Sequence, residues 1–338
     1  MQLYCGIDLH SNNSVISVIN DDDKVIQEKR LDNDLNQIEE LLLPYQSDLS
    51  GVVIESTYNW YWLVDGLLDK GYPVHLANTL AIQQYNGLKY TNDSTDARFL
   101  AHLLRLKILP TGYIYPKALR AVRDLLRRRL LLVKQRTAHH LSLQSMVNRH
   151  TGQRLSSCQI KQLTEQDLGI YFSSSAAQLT ALTEWQMMQE LTKQIDKIER
   201  FVLNECLQDA LYSILTSIPG VGKILAMTIL LETGPIERFP SVGNYSSYAR
   251  CVPSDKVSNG KSKGKGNTKN GNRYLAMAFV EAAHYAAIWN PEIKKAYQRR
   301  LKKSPTMVAK KAIANKLTRA CYHMLKEKKM FDVKLAFG

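Results

Sequence analysis

The chain has 338 residues, enough for two or three domains, and its 45% hydrophobic content is that of a folded rather than a disordered protein. No apolar run approaches the ~20 residues of a membrane span, and the opening MQLYCGIDLH lacks the charged-then-apolar layout of a secretory signal, so the expectation is a cytoplasmic protein with no membrane partner. A formal net charge of +14 implies a polyanionic partner, because neutralised phosphates release condensed counterions. The five cysteines (Cys5, Cys158, Cys206, Cys251 and Cys321) are far apart with no C-x-x-C pair, which excludes a zinc ribbon and fits reduced thiols.

Residues 1–112 read as an α/β domain. GIDLHSN opens with a short strand, and SVISVI and KVIQEKRL read as two more joined by the acidic turn Asp21-Asp22-Asp23. A helical pattern over about 34–44 follows, then the apolar strand GVVIES, a helix over about 58–70 and the strand PVHLAN. Gly71 stands where a helix-ending glycine belongs. Three strands, a helix, then alternating strands and helices is the order of an RNase H-like sheet.

Asp8 ends the first predicted strand and Glu55 the fourth, while Asp93 and Asp96 lie in TNDSTDARFLAHLL, where a helix begins. In an RNase H-like sheet these strand ends and this helix start converge on one edge. Four carboxylates gathered there repel one another unless a cation such as Mg²⁺ neutralises them, and oxygen-rich sites suit that ion. Singly, each acid has a plainer reading: Asp93 and Asp96 also suit a helix N-terminus as a capping box, and Glu55 also suits a strand end at the surface.

Residues 113–210 read as almost entirely helical. Over 118–147, leucines at helical spacing stand beside Arg120, Arg123, Arg127, Arg128, Arg129, Lys134 and Arg136, with Asp124 the only acid among these bases. This run is expected to contact nucleic acid. A second amphipathic stretch spans roughly 176–208, and two such helices suggest a protruding hairpin or coiled-coil arm.

Residues 211–338 form a third unit, helical at both ends. Its middle, SDKVSNGKSKGKGNTKNGNRYL, has a linker's composition but is more basic than a linker and lies inside a domain. The stretch Ile218-Pro219-Gly220-Val221-Gly222-Lys223 resembles a helix-hairpin-helix turn that could bind a backbone phosphate, and a plain inter-helix turn explains it equally well. Tyr245 and Tyr248 could stack on bases, with core packing the favoured reading.

G-I-D-L-H near the start, V-V-I-E-S-T about fifty residues on, T-N-D-S-T-D-A-R-F-L-A, and the C-terminal blocks S-I-P-G-V-G-K and C-V-P-S-D-K-V-S-N-G-K together resemble the DEDD-type transposases of bacterial insertion sequences, the bridge-RNA-guided serine recombinases. The likeness covers nearly the whole chain. It implies a RuvC-like DEDD domain at 1–112, a helical arm at 113–210 and a mainly α transposase domain carrying a serine loop at 211–338. It implies that Asp8, Glu55, Asp93 and Asp96 bind Mg²⁺ and that Ser258 is a nucleophile forming a phosphoserine link to DNA. A structured guide RNA would choose the sequence, as in other RNA-guided effectors. Lys256, Lys261, Lys263, Lys265, Lys269 and Arg273 would then hold DNA phosphates around the serine. The expected assembly is a homo-oligomer, a dimer or tetramer, because recombination cuts and rejoins several strands.

Two departures from the family pattern stand out. Family members often carry Gly directly after the serine, where this chain has Asn259 before Gly260; and Lys-Thr-Asp often precedes the third acid, where this chain has Thr91-Asn92-Asp93. Two other readings compete: a metal-only junction nuclease whose serine forms no covalent bond, and a non-catalytic nucleic-acid-binding protein that keeps the fold.

Overall fold

The computed structural model describes residues 1–82, 93–253, 255–266 and 270–338, with backbone alone for 255–257, 262 and 265. The chain divides into two compact units, Met1–Lys117 and Ala118–Gly338.

The first unit is built on strands β1 (Leu3–Leu9), β2 (Asn13–Asn20) and β3 (Val25–Asp32), helix α1 (Leu35–Leu42), strand β4 (Leu49–Glu55), helix α2 (Tyr61–Asp69) and strand β5 (Val74–Ala77). Helices α3 (Thr79–Ile82) and α4 (Asp93–Arg105) and the short strand β6 (Thr111–Gly112) complete it. The sheet order is β3-β2-β1-β4-β5-β6. The first three strands form an antiparallel meander, whereas β4 and β5 continue parallel to β1.

Every residue of β1 is buried, as a central strand covered on both faces requires. On one face Cys5, Ile7, Leu9, Val52 and Ile54 pack under α1 and α2. On the other, Tyr4 packs with Ala101, and Val53 and Ala77 with Leu100, both of α4. Helix α2 closes as the sequence anticipated: Gly71, at φ +83°, lets its N–H reach Leu68 O (3.0 Å) while Tyr72 N reaches Leu67 O (3.0 Å).

Among the described residues, the second unit is helical apart from one hairpin. Helices α5 (Lys117–Thr151) and α8 (Ser175–Leu207) run antiparallel, fixed by Arg129 to Glu199, Arg136 to Thr192, and His139 and Ser142 to Glu184. At one end the short helices α6 (Ser157–Gln162) and α7 (Glu165–Tyr171) close a small core around Leu143, Ile160, Phe172 and Ala181. Both short helices begin with a capping box, at Ser156 and Thr164, which sets their start without help from packing.

Their other end joins the larger core, formed with α9 (Ala210–Thr216), α10 (Lys223–Thr233) and α11 (Val242–Tyr248) and, beyond the hairpin strands β7 (Asp255–Ser258) and β8 (Lys261–Lys265), with α12 (Arg273–Trp289), α13 (Pro291–Leu301), α14 (Thr306–Glu327) and α15 (Val333–Phe337). Tyr245 is wholly buried there, its hydroxyl 2.9 Å from Thr233 Oγ1, so core packing is the reading that holds for it. A mixed α/β sheet unit followed by a mainly helical one is thus the architecture. No helix among the described residues is long and apolar enough to cross a membrane.

Candidate active site

The acids converge because of one missing side chain. Gly6 and Asp8 share a face of β1, two residues apart. A Cβ on Gly6 would lie 1.9 Å from Ala97 O and 2.8 Å from Ala101 N, so α4 rests backbone-to-backbone on the sheet. Asp93 and Asp96, in the first turn of that helix, are carried to the end of β1 where Asp8 stands. In the parallel pair, Gly6 faces Val53 and Ile7 faces Ile54, which sets Glu55 beside Asp8 on the same face.

The electrostatics record this crowding. Burial, a hydrogen bond with Asp8 and the charges of Asp8 and Asp96 push the Glu55 carboxyl up to about 7. Burial together with the charges of Asp8 and Asp93 raises Asp96 as well. Asp93 goes the other way, held down chiefly by its hydrogen bond from Arg30 (Nη2 to Oδ2, 2.5 Å) with the His10 ring adding to the effect. Arg30 is set by register: Asp8 pairs with Val15 and Val15 with Arg30, which places this arginine in the row of Asp8 two strands away. Its other amino group donates to Asn13 Oδ1 (2.9 Å).

His10 completes the group. Its Nε2 lies 3.3 Å from Asp8 Oδ2 and 3.4 Å from Asp93 Oδ2. The atom is closed off from solvent yet makes no hydrogen bond of acceptable geometry. The ring's backbone is pinned, with His10 O accepting from Asn33 Nδ2 (3.0 Å) and Asn59 Nδ2 (2.9 Å). Asp8, His10 and Asp93 offer ligand atoms all within 4.8 Å of one another, beside an open pocket of about 510 Å³ that His10, Arg30, Tyr58 and Asp93 help to line.

Ser258 belongs to the second unit. It ends β7 and pairs with Lys261 across a two-residue turn in which Asn259 (φ +50°) and Gly260 (φ +69°) are both left-handed. Such a turn selects Asn-Gly, so the residue intervening before Gly260 has a structural reason: it aims an exposed Ser258 at the hairpin tip. A stretch with a linker's composition is therefore a β-hairpin. Its foot is clamped: Asn272 N donates to Tyr248 O (2.5 Å) and Arg250 donates twice to Gly271 O (2.9 and 2.7 Å). The Asn272 side chain caps α12 through its oxygen and donates to Glu232 Oε2 (2.7 Å), a buried carboxylate that also takes two bonds from Arg127, 2.6 Å each.

The basic residues singled out in the sequence fall into three groups. Lys261, Lys263, Arg273 and Arg128 are exposed. Arg120 and Arg123 are buried, and Arg127 is taken up by Glu232. The side chains of Lys256 and Lys265, and the whole of Lys269, Thr91 and Asn92, lie outside the described residues. His10, Arg30 and Glu232 went unremarked as site residues. His10 was within reach of the alternation rule, two residues past Asp8, but Arg30 needs the strand register and Glu232 the packing of α10 on α5.

Residues 5–151 match the profile of a DEDD transposase of the IS110 type, and residues 212–298 match that of the transposase IS116/IS110/IS902 family. Similar proteins include a 43.6 kDa protein of insertion element IS110 from Streptomyces coelicolor, 27% identical over 173 residues, covering 51% of this chain and 40% of that protein. A protein named as a transposase, y4qE, from Sinorhizobium fredii is 27% identical over 231 residues, covering 67% of this chain and 55% of its own length. The sheet-borne acids lie within the first of these two segments, and both segments resemble transposases of this kind. The chain is similar over these two segments to the IS110 family. It matches only about half the length of these relatives.

Proposed function

We propose that this protein is a DNA recombinase that moves an insertion sequence through a divalent-metal site on the first unit and a covalent phosphoserine step at Ser258. The observation that carries the reading is the convergence of Asp8, Glu55, Asp93 and Asp96 on one sheet edge, with Glu55 pushed up to about 7 by burial first and by Asp8 and Asp96 beside it. Carboxylates forced together in this way fit a bound cation, and their oxygen-rich donor set suits Mg²⁺ or Mn²⁺. The order β3-β2-β1-β4-β5 supports an RNase H-like, RuvC-like reading of the sheet. The sequence-based division at 1–112, 113–210 and 211–338 belongs to the same proposal.

In this reading Ser258 Oγ attacks a backbone phosphorus, a new serine O–P bond forms, and the P–O bond to the departing deoxyribose breaks. The serine proton leaves to a base and the freed sugar oxygen takes one up. Attack by the hydroxyl of the receiving strand reverses these changes and restores the serine. A bound divalent ion supplies charge neutralisation at the phosphate and at the departing oxygen. Asp8, Glu55, Asp93 and Asp96 hold that ion, and Lys261, Lys263 and Arg273 on and beside the hairpin are exposed for phosphate contact. A structured RNA supplies target choice, the net charge of +14 suits two nucleic-acid partners, and the working assembly is a homo-oligomer.

The test is covalent trapping. The full chain is incubated with Mg²⁺, the element's end DNA and RNA from the flanking non-coding region, and a denaturant-resistant adduct is sought. The expected adduct maps to Ser258 and is lost in Ser258→Ala and in Asp8→Ala. Cleavage without any adduct would replace this reading with that of a metal-only nuclease.

A further inference from the structure

The geometry points to His10 as a nitrogen ligand of the metal site, which makes that site a mixed nitrogen–oxygen centre preferring Mn²⁺ to Mg²⁺. This inference rests on the metal reading above and extends it to a residue outside the four acids.

Three observations carry it. First, the spacing is that of ligands around one ion. Donors about 2.1 Å from a metal lie about 3.0 Å apart along an octahedral edge and about 3.4 Å apart along a tetrahedral one. His10 Nε2 stands 3.3 Å from an Asp8 oxygen and 3.4 Å from an Asp93 oxygen. Second, that nitrogen is closed off from solvent and faces two carboxylate oxygens without making a hydrogen bond of acceptable geometry to either, so a cation shared with them would satisfy it. Third, the backbone of His10 is held from outside the site. The two asparagine amides on His10 O come from separate segments, Asn33 after β3 and Asn59 after β4, so the main chain that carries the imidazole is held on two sides.

The chemistry of the donor set follows. Mg²⁺ favours oxygen ligands and dehydrates reluctantly, whereas imidazole raises affinity along the transition series. A neutral nitrogen also adds a ligand without adding a fifth negative charge to a crowded edge.

The experiment is pulsed electron paramagnetic resonance of Mn²⁺ bound to the full chain, with titration calorimetry of Mn²⁺ and Mg²⁺. The expected echo shows modulation from a directly coordinated ¹⁴N, which changes to the ¹⁵N pattern when histidine alone is ¹⁵N-labelled. In His10→Ala and His10→Gln the modulation disappears and Mn²⁺ affinity falls by at least about tenfold, the range in which disturbed metal sites lose affinity. Mg²⁺ affinity falls less, so the Mn²⁺ preference narrows. Mn²⁺ binding that is lost in Asp8→Ala but shows no histidine nitrogen in the unsubstituted protein would overturn the role of His10 and leave the carboxylate site standing. Failure of the unsubstituted protein to bind Mn²⁺ would overturn both readings.

Discussion

Replacing Gly6 by alanine tests how the acidic site is assembled. The added methyl carbon would sit 1.9 Å from Ala97 O and 2.8 Å from Ala101 N, both backbone atoms of α4, so no side chain can swing aside to accept it. Restoring an ordinary contact of about 3.4 Å requires α4 to move roughly 1.5 Å off β1. Overpacking of this kind costs about 1–3 kcal/mol, and a backbone-to-backbone clash on a fully buried strand belongs at about 3 kcal/mol. The same displacement carries Asp93 and Asp96 away from Asp8 and Glu55. Metal sites whose supporting geometry is disturbed lose roughly ten- to a hundredfold in affinity.

The Gly6→Ala protein is therefore expected to unfold at lower urea concentration and to bind Mn²⁺ roughly ten- to a hundredfold more weakly. Urea denaturation followed by circular dichroism, and calorimetric Mn²⁺ titration, measure the two effects. Gly169→Ala is the control: it lies in α7 with nothing within 4 Å of its would-be Cβ, and should be neutral or stabilising by up to about 1 kcal/mol. A Gly6→Ala protein with unchanged urea midpoint and unchanged Mn²⁺ affinity would refute the account of how α4 positions its acids.

Glu232→Ala should destabilise the second unit by about 3 kcal/mol, because it strands Arg127 and Asn272 around a buried position; Glu232→Met combined with Arg127→Met should cost less than Glu232→Ala alone. Urea midpoints of the three proteins decide it, and equal losses would contradict the pairing. The metal-free protein should lose stability as pH rises: Glu55 titrates near 7 when folded against an ordinary 4.5, so its contribution is full below about 4.5 and is lost through about 7. Glu55→Gln should flatten that slope in denaturation series across this window, and an unchanged slope would place the titration elsewhere. Gly260→Ala forces an alanine to φ +69° at a cost of about 1–2 kcal/mol in the hairpin. Its yield of covalent adduct should fall while Mn²⁺ affinity stays unchanged, and full adduct yield would show that the turn does not position Ser258.

Much of the first unit was legible because its signals are local. Alternation and apolar runs marked β1, β2, β4 and β5, and Gly71 announced the end of α2. The long helices were equally plain from their leucine spacing. What was hidden depended on partners distant in sequence. The arginines of α5 read as a contact surface, yet burial of Arg120 and Arg123 and the bond from Arg127 to Glu232 depend on which face of the helix meets the core. The hairpin was hidden for a different reason: Gly, Ser and Lys dominate its composition, and the Asn259-Gly260 pair that specifies its turn was first read as a departure from a motif. Arg30 could not have been found without the register of three strands.

Both candidate centres are built in the same way, and this bears on what would disable them. In the first unit Gly6 lets a helix backbone touch the strand that carries Asp8. In the second, a Cβ on Gly271 would lie 2.6 Å from Tyr248 O and 3.0 Å from Ser247 O, so the hairpin foot closes directly on the end of α11. Asp8 thus stands two residues from a close backbone approach within its own strand, and Ser258 stands in a hairpin followed in sequence by another such approach. Surface lysines such as Lys261 and Lys263 contribute long-range attraction that salt screens. Changing them should alter binding and its salt dependence. Changing the glycines beneath should alter the chemistry while the surface charge stays the same.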